Sequence, residues 1–220
     1  MANHLRIELE KLKTNLLSLS SEVERALNKA VLSVRNSDTE LAKEVLAADH
    51  VIDQHEVEVE EQCLAILALH QPVAKDLRFV IAVLKINNDL ERIGDLAVNI
   101  SERTIFLKKQ PPIEIPFDFV NMSQKAVTML KKSLDAFINM DLRLAHKVWE
   151  SDDEIDEMNR QVYDKVYSTI KSHPNQVEAL IHYLSISRHL ERIGDYATNI
   201  CEDVIYMAEG KIVRHTPEGA

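Results

Sequence analysis

Acidic side chains recur at a fixed spacing along the sequence, and they are the residues best suited to bind a ligand. They occur as pairs four residues apart: Asp49 and Asp53, Glu91 and Asp95, Asp152 and Asp156, and Glu191 and Asp195. Residues four apart in an α-helix lie on one face, with Cβ atoms about 5–6 Å apart. Because like charges at that spacing destabilise a helix, the pairs predict either a bound cation or an acidic face in contact with solvent.

The segments that carry these pairs have the composition of long helices. Only four of the 220 residues are glycine and six are proline, too few for the frequent turns of an all-β protein. Between the prolines, apolar residues recur at the period of an α-helix, as in the stripe from Leu5 to Val34. The pattern predicts six helices, at about 3–36, 38–70, 72–108, 117–139, 141–172 and 174–209.

The helices belong to a three-helix unit that occurs twice. The segment Leu90–Glu102 recurs as Leu190–Glu202 with ten of 13 positions identical, and the Asp-x-x-Ile-Asp segment at 49–53 recurs at 152–156. The predicted fold is therefore all-α, with two tandem three-helix bundles (six long helices) related by internal duplication. We predict a first unit, a linker, a second unit and a flexible tail, at 1–110, 111–116, 117–210 and 211–220.

Each unit places its four acids together if its second and third helices form an antiparallel hairpin. A turn at Pro72 then puts Asp53 beside Glu91 and Asp49 beside Asp95. The equivalent turn of the second unit pairs its acids in the same way: Asp156 with Glu191, and Asp152 with Asp195. Each hairpin brings four carboxylates to two adjacent levels, which is the arrangement of a multidentate oxygen site.

Oxygen ligands restrict the kind of cation and the kind of enzyme. Carboxylate sites suit hard or borderline cations such as Mg²⁺, Mn²⁺, Ca²⁺ or iron, whereas structural Zn²⁺ more usually has cysteine or histidine ligands. We expect divalent or multinuclear metal ions (iron, manganese, magnesium or zinc) and leave the identity open. Ferritin-like di-iron oxidases carry Glu-x-x-His pairs, and this sequence has none.

Two other residue types in the repeated motif are informative. Gly94 and Gly194 lie inside predicted helices, where glycine is less favourable than alanine by roughly 1 kcal/mol. They predict a close approach by a ligand or by another backbone. Arg92 and Arg192 follow the motif glutamates and either bind an anion or pair with the acids, and pairing is the favoured interpretation.

Charge and the remaining motifs argue against several classes of function. A formal net charge of −10 and only 5% aromatic residues argue against nucleic acid as a partner. No apolar run is long enough for a transmembrane segment, and the amino-terminal residues lack the apolar stretch of a secretory signal. Cys63 and Cys201 stand alone, so we expect a cytoplasmic protein. No Gly-rich phosphate loop, G-x-S-x-G motif or Cys/His nucleophile arrangement indicates an enzyme.

The Glu-Arg-Ile-Gly-Asp segments at 91–95 and 191–195, with Asp-x-x-Ile-Asp at 49–53 and 152–156, resemble the PhoU family of phosphate-transport regulatory proteins. The resemblance covers nearly the whole chain and both copies of the motif. It implies a cytoplasmic, usually dimeric protein that binds metal clusters through Glu/Asp-x-x-x-Asp motifs. The metal ligands that it implies are the eight paired acids: Asp49, Asp53, Glu91, Asp95, Asp152, Asp156, Glu191 and Asp195.

The resemblance also implies a non-enzymatic adaptor that negatively regulates phosphate uptake and the phosphate regulon. Such an adaptor connects the phosphate ABC transporter to a membrane sensor histidine kinase, with peripheral membrane association through these partners. The residues alone leave two other functions open. One is a carboxylate-bridged metal-dependent enzyme acting on phosphate compounds, with two ions about 3.5–4 Å apart. The other is a helical scaffold whose acids only make it soluble.

Overall fold

The computed structural model describes residues 2–213, with side chains from His4 onward, and every regular element in this range is helical. The elements are α1 (Ala2–Asn36), α2 (Thr39–His70), α3 (Ala74–Leu107), α4 (Phe119–Asn139), α5 (Leu142–Trp149), α6 (Asp152–Ser172), a 3₁₀ turn (Pro174–Gln176) and α7 (Val177–Glu209). The predicted all-α class is confirmed. None of the described helices has the length and apolar character of a membrane span. Residues 214–220 of the predicted tail lie outside the described range.

The helix predicted over residues 141–172 is interrupted in the structure. Glu150 and Ser151 form a turn between α5 and α6, and the Ser151 hydroxyl donates a hydrogen bond to the carbonyl of Val148 at 2.7 Å. Serine and aspartate favour the start of a helix over its interior, and the first turn of α6 carries three acids, Asp152, Asp153 and Glu154. The interruption places Asp152 at the first position of α6, where the helix dipole favours negative charge.

Helices α1 to α3 pack as one unit and α4 to α7 as the second, around a continuous apolar core. Fully buried side chains include Leu16 on α1, Ile93 on α3 and Ile155 on α6. Each such side chain contributes about 1.5–3 kcal/mol when it leaves water. The core therefore fixes the positions of the helices whose outer faces carry the acids.

Helices α3 and α7 run antiparallel through the middle of the molecule. Three contacts define their register: Arg78 with Gly210, Lys85 with Asp203, and Phe106 with His182. The members of each pair are equally far, along their own helices, from Gly94 and Gly194. An approximate two-fold axis therefore passes at the level of these glycines and relates the α3 surface to the α7 surface.

Candidate metal centre

The hairpin of α2 and α3 brings the four acids of the first unit together in the register expected from the sequence. Burial, followed by the charges of Asp53 and Asp95, raises the pKa of Asp49. Burial and the charge of Asp95 raise the pKa of Glu91, and Asp53 on the opposite helix adds to this shift. Because like charges raise each other's pKa only when they are close, these four acids share one surface.

Arg92 neutralises part of this first site. Its Nε lies 3.4 Å from Oε2 of Glu91, and its Nη1 lies 3.5 Å from Oδ2 of Asp95. Its positive charge opposes the rise in the pKa of Glu91. The interpretation that this arginine pairs with the acids is confirmed.

The hairpin of α6 and α7 holds three acids of the second unit in a tighter group. One carboxylate oxygen each from Asp156, Glu191 and Asp195 lies within 4.8 Å of the others. No other group of three acidic, histidine or cysteine side chains in residues 2–213 is as compact. The fourth acid, Asp152, accepts a hydrogen bond from the hydroxyl of Thr198 at 3.2 Å.

The largest pKa shift among the eight paired acids lies in this second site. Burial, followed by the charges of Glu191, Asp152 and Asp156, raises the pKa of Asp195 to about 7, while Arg192 opposes the rise. Burial is also the main reason that the pKa values of Glu191 and Asp152 are raised. Carboxyl groups that repel one another in this way bind either a proton or a metal cation.

Arg192, the counterpart of Arg92, binds a different partner. Its Nη2 donates a hydrogen bond to the hydroxyl of Tyr196 at 3.0 Å, and its guanidinium lies 5.8 Å from the centroid of that ring. Within the described residues it forms no ion pair, so the expected pairing with the acids is not seen here. The cause is local, because Tyr196 stands where the first unit has Leu96, which offers no hydrogen-bond acceptor.

Gly94 and Gly194 allow close packing of the two helices in each hairpin. A Cβ at Gly94 would lie 3.2 Å from Cγ2 of Ile52, and a Cβ at Gly194 would lie 2.9 Å from Cγ2 of Ile155. The expectation of a ligand or another backbone at these glycines is therefore wrong, since an isoleucine side chain fills the space. Each isoleucine belongs to an Asp-x-x-Ile-Asp segment, so its packing on glycine brings the flanking aspartates toward the acids of the next helix.

The donor atoms of the second site fit a cation. Oδ1 of Asp156 is buried and has no hydrogen-bond partner among the described residues. Leaving a buried polar atom without a partner costs about 1–3 kcal/mol, and more for a charged group, and a bound cation would remove that cost. The compact group contains carboxylates and neither cysteine nor histidine, a donor set that suits Mg²⁺, Mn²⁺, Ca²⁺ or iron better than structural Zn²⁺.

Sequence reasoning missed Tyr196 and Thr198, which contact Arg192 and Asp152. The repeated 13-residue segments differ at three positions: Leu96/Tyr196, Val98/Thr198 and Ser101/Cys201. Two of these three differences lie beside the second site. The differences between the repeats are therefore the signal that identifies these residues.

A family model described as the PhoU domain matches the chain twice, at residues 16–104 and 119–204. The chain belongs to the PhoU family. The two matches also confirm the predicted internal duplication. The phosphate-specific transport system accessory protein PhoU homolog 1 of Thermotoga maritima is 36% identical over 98% of this chain and 94% of its own length. The PhoU homolog of Aquifex aeolicus is 39% identical over 94% of each chain.

Solved PhoU structures share this fold over almost the whole chain. The crystal structure of PhoU from Pseudomonas aeruginosa superposes with a TM-score of 0.90 at 34% identity and covers 94% of this chain and 99% of that one. The phosphate transport system regulatory protein PhoU from Streptococcus pneumoniae gives a TM-score of 0.83 at 32% identity, over 95% and 99%. Because these PhoU relatives are named accessory and regulatory proteins, the comparisons confirm that the chain is not an enzyme.

Proposed function

We propose that this PhoU-family chain is a metal-binding regulatory adaptor that restrains phosphate uptake and phosphate-regulon signalling. The observation that carries the proposal is the compact group of Asp156, Glu191 and Asp195, whose partial burial and mutual repulsion favour a bound cation. The relatives support the pathway, since they are named accessory proteins of a phosphate-specific transport system.

The metal ion would connect the two helices of each hairpin. In the second unit, Asp156 on α6 and Glu191 and Asp195 on α7 would hold it, with Asp152 completing the set. The first unit would use its four equivalent acids: Asp49, Asp53, Glu91 and Asp95. The ion supplies the positive charge that neutralises the acids, and the acids on both helices then fix the spacing of the hairpin.

We further propose that the chain acts as a cytoplasmic homodimer between two membrane partners, the phosphate ABC transporter and a sensor histidine kinase. The support is the name that the relatives share and the non-enzymatic character of the family. Metal-ordered hairpins would present a fixed surface to these partners. Kinase output would then fall when phosphate is plentiful.

Metal content tests the site. The double variant Glu191→Gln with Asp195→Asn should lose most of the metal bound at the second site, measured by elemental analysis of protein purified without chelators or an affinity tag. Glu91→Gln with Asp95→Asn should remove a smaller, separate fraction. The matched control is Glu40→Gln with Glu44→Gln, because these acids also lie four apart on a helix but outside both sites. Metal content that is unchanged in both site variants would contradict the assignment.

Deletion of the gene tests the regulatory role. A strain without the protein should express phosphate-starvation genes even in rich phosphate, as measured with a transcriptional reporter. Reintroducing the intact chain should restore repression, and the double variant at 191 and 195 should restore less. Continued repression in the deletion strain would argue against the proposed role.

A further inference from the structure

The approximate two-fold axis relates two surfaces of α3 and α7 that carry opposite charge. The first is a cleft with a cavity of about 450 Å³. Its charged lining residues are Glu56, Glu60, Asp89, Asp203 and Lys85. Within the cleft, Nζ of Lys85 lies 2.9 Å from Oδ1 of the buried Asp203. The first surface is therefore acidic, and the ammonium group of Lys85 supplies a positive charge within it.

The equivalent positions on the other side of the axis carry no acid. Arg103 replaces Asp203, Arg188 replaces Asn88, and His189 replaces Asp89. The two glutamates of α2 correspond to Asn159 and Tyr163. We call Arg103, Ser185, Arg188 and His189 the basic surface.

The side chains of the basic surface lie around the imidazole of His189. Burial, followed by the charges of Arg103, Arg192 and Arg188, lowers the pKa of His189 to about 4, so both arginines of the basic surface are close to this ring. Nε2 of His189 is 3.1 Å from the hydroxyl of Ser185. Its Nδ1 is buried and has no hydrogen-bond partner among the described residues.

The two arginines have unused hydrogen-bonding capacity. Nε of Arg103 is buried without a hydrogen-bond partner in the described range, and its nearest carboxylate, on Glu102, is 4.0 Å from Nη2. Arg188 is exposed and forms no ion pair with any described residue. A guanidinium group presents a planar set of donors that matches phosphate oxygens.

We propose that Arg103 and Arg188, with Ser185 and His189, bind a phosphate-class oxyanion. Free phosphate and a phosphate monoester on a larger molecule share this chemistry. The four residues are separate from the eight acids of the proposed metal centre, so failure of one proposal leaves the other standing. Arg188 also acts on the carboxylate of Glu191, so an anion here would bind next to the second acidic site.

The test is a calorimetric titration of the full chain, first with inorganic phosphate and then with phenyl phosphate. Both are repeated after metal removal with a chelator and dialysis, because metal-bound phosphate would otherwise contribute. The intact chain should show saturable binding of at least one ligand in both preparations. Arg188→Gln and Arg103→Gln should each weaken it about tenfold or more, since each removes a hydrogen bond to a charged group.

Two further variants separate recognition from general charge effects. Arg188→Lys keeps the charge but loses the planar donors, so it should bind more weakly than the intact chain and more tightly than Arg188→Gln. Arg143→Gln removes one exposed positive charge on α5 and should leave binding unchanged. Circular dichroism of each variant checks that it is folded.

The identity of the better ligand decides the source of the anion. Tighter binding of inorganic phosphate supports a site for the free ion, and tighter binding of phenyl phosphate supports a site for a phosphoryl group of a larger molecule. Absence of saturable binding of both ligands overturns the proposal. Equal binding by the intact chain, Arg103→Gln and Arg188→Gln also overturns it.

Discussion

The two acidic sites contain the same motif but balance their charge differently. In the first site, Arg92 lies 3.4 Å from Glu91 and 3.5 Å from Asp95. In the second site, Arg192 is hydrogen-bonded to Tyr196, and one oxygen from each of three carboxylates lies within 4.8 Å of the others. In the first site an arginine forms ion pairs with the acids, whereas in the second Arg188 and Arg192 oppose the charge of the acids without an ion pair among the described residues. The second site therefore keeps more uncompensated negative charge, which a proton or a metal cation would neutralise.

This difference leads us to expect that residues beside the motif tune the metal affinity of each site, while the motif supplies the ligands. Leu96 offers nothing to Arg92, which then pairs with the acids, while the hydroxyl of Tyr196 binds Arg192. The helices that carry the Asp-x-x-Ile-Asp segments also start at different points, because Asp152 begins α6 but Asp49 lies within α2. We therefore expect the second site to bind metal more tightly than the first.

Gly194→Ala should have the largest effect on the free energy of unfolding. Its Cβ would lie 2.9 Å from Cγ2 of Ile155, and overpacking of this kind destabilises by about 1–3 kcal/mol. Gly94→Ala places its Cβ 3.2 Å from Cγ2 of Ile52, and the roughly 1 kcal/mol gain in helix propensity offsets much of the cost. Urea denaturation of both variants measures the difference. Equal destabilisation would mean that the two hairpins are packed alike.

Exchanging the residues at positions 96 and 196 should weaken metal binding at the second site and strengthen it at the first. Tyr196→Leu releases Arg192 to pair with Asp195, and an ion pair worth about 1 kcal/mol should weaken metal binding roughly fivefold. Leu96→Tyr should draw Arg92 from its acids and strengthen the first site. Metal titration of each variant gives the affinities. Tyr196→Phe keeps the ring but removes the hydroxyl, and an affinity equal to that of the intact chain would show that the hydrogen bond is unimportant.

The smallest effect is the pH dependence of the metal-free protein. The pKa of Asp195 rises from an ordinary 3.8 to about 7 in the folded chain, so the folded state keeps a proton that the unfolded state has lost. Stability should therefore fall as the pH rises through this range and level off above it. Because this carboxyl is only partly buried, solvent screening limits the change to about 1 kcal/mol. Urea midpoints at pH 5 and 8 measure it. Asp195→Asn should flatten the dependence, and an unchanged dependence in that variant would contradict the prediction.

Periodicity and the repeat were sufficient to predict the helical class, the hairpins and the grouping of the acids. The register was predicted correctly because each hairpin has a proline in its turn and carries its acids at matched distances from the centre of that turn. The break before Asp152 was missed because the core residues Val148 and Ile155, seven positions apart, keep the helical period across it.

The role of the glycines was also misjudged from the sequence. A helix-interior glycine indicates that something comes close, but the sequence does not say whether it is a ligand, a backbone or a side chain. Only the packing of Ile52 and Ile155 on these positions decides it. The partner of Arg192 could not be predicted either, because pairing with an adjacent acid and bonding to Tyr196 are both within reach of a long side chain.

All four acids of each site come from one hairpin of consecutive helices, whereas α3 and α7 are joined through residues far apart in the chain. Contacts between nearby segments form early in folding, and contacts that close long loops form late. We therefore expect each cation site to be assembled before the two halves of the molecule meet. During synthesis, the first hairpin would be complete while the second was still being made, and an ion captured there would stabilise a half-finished chain.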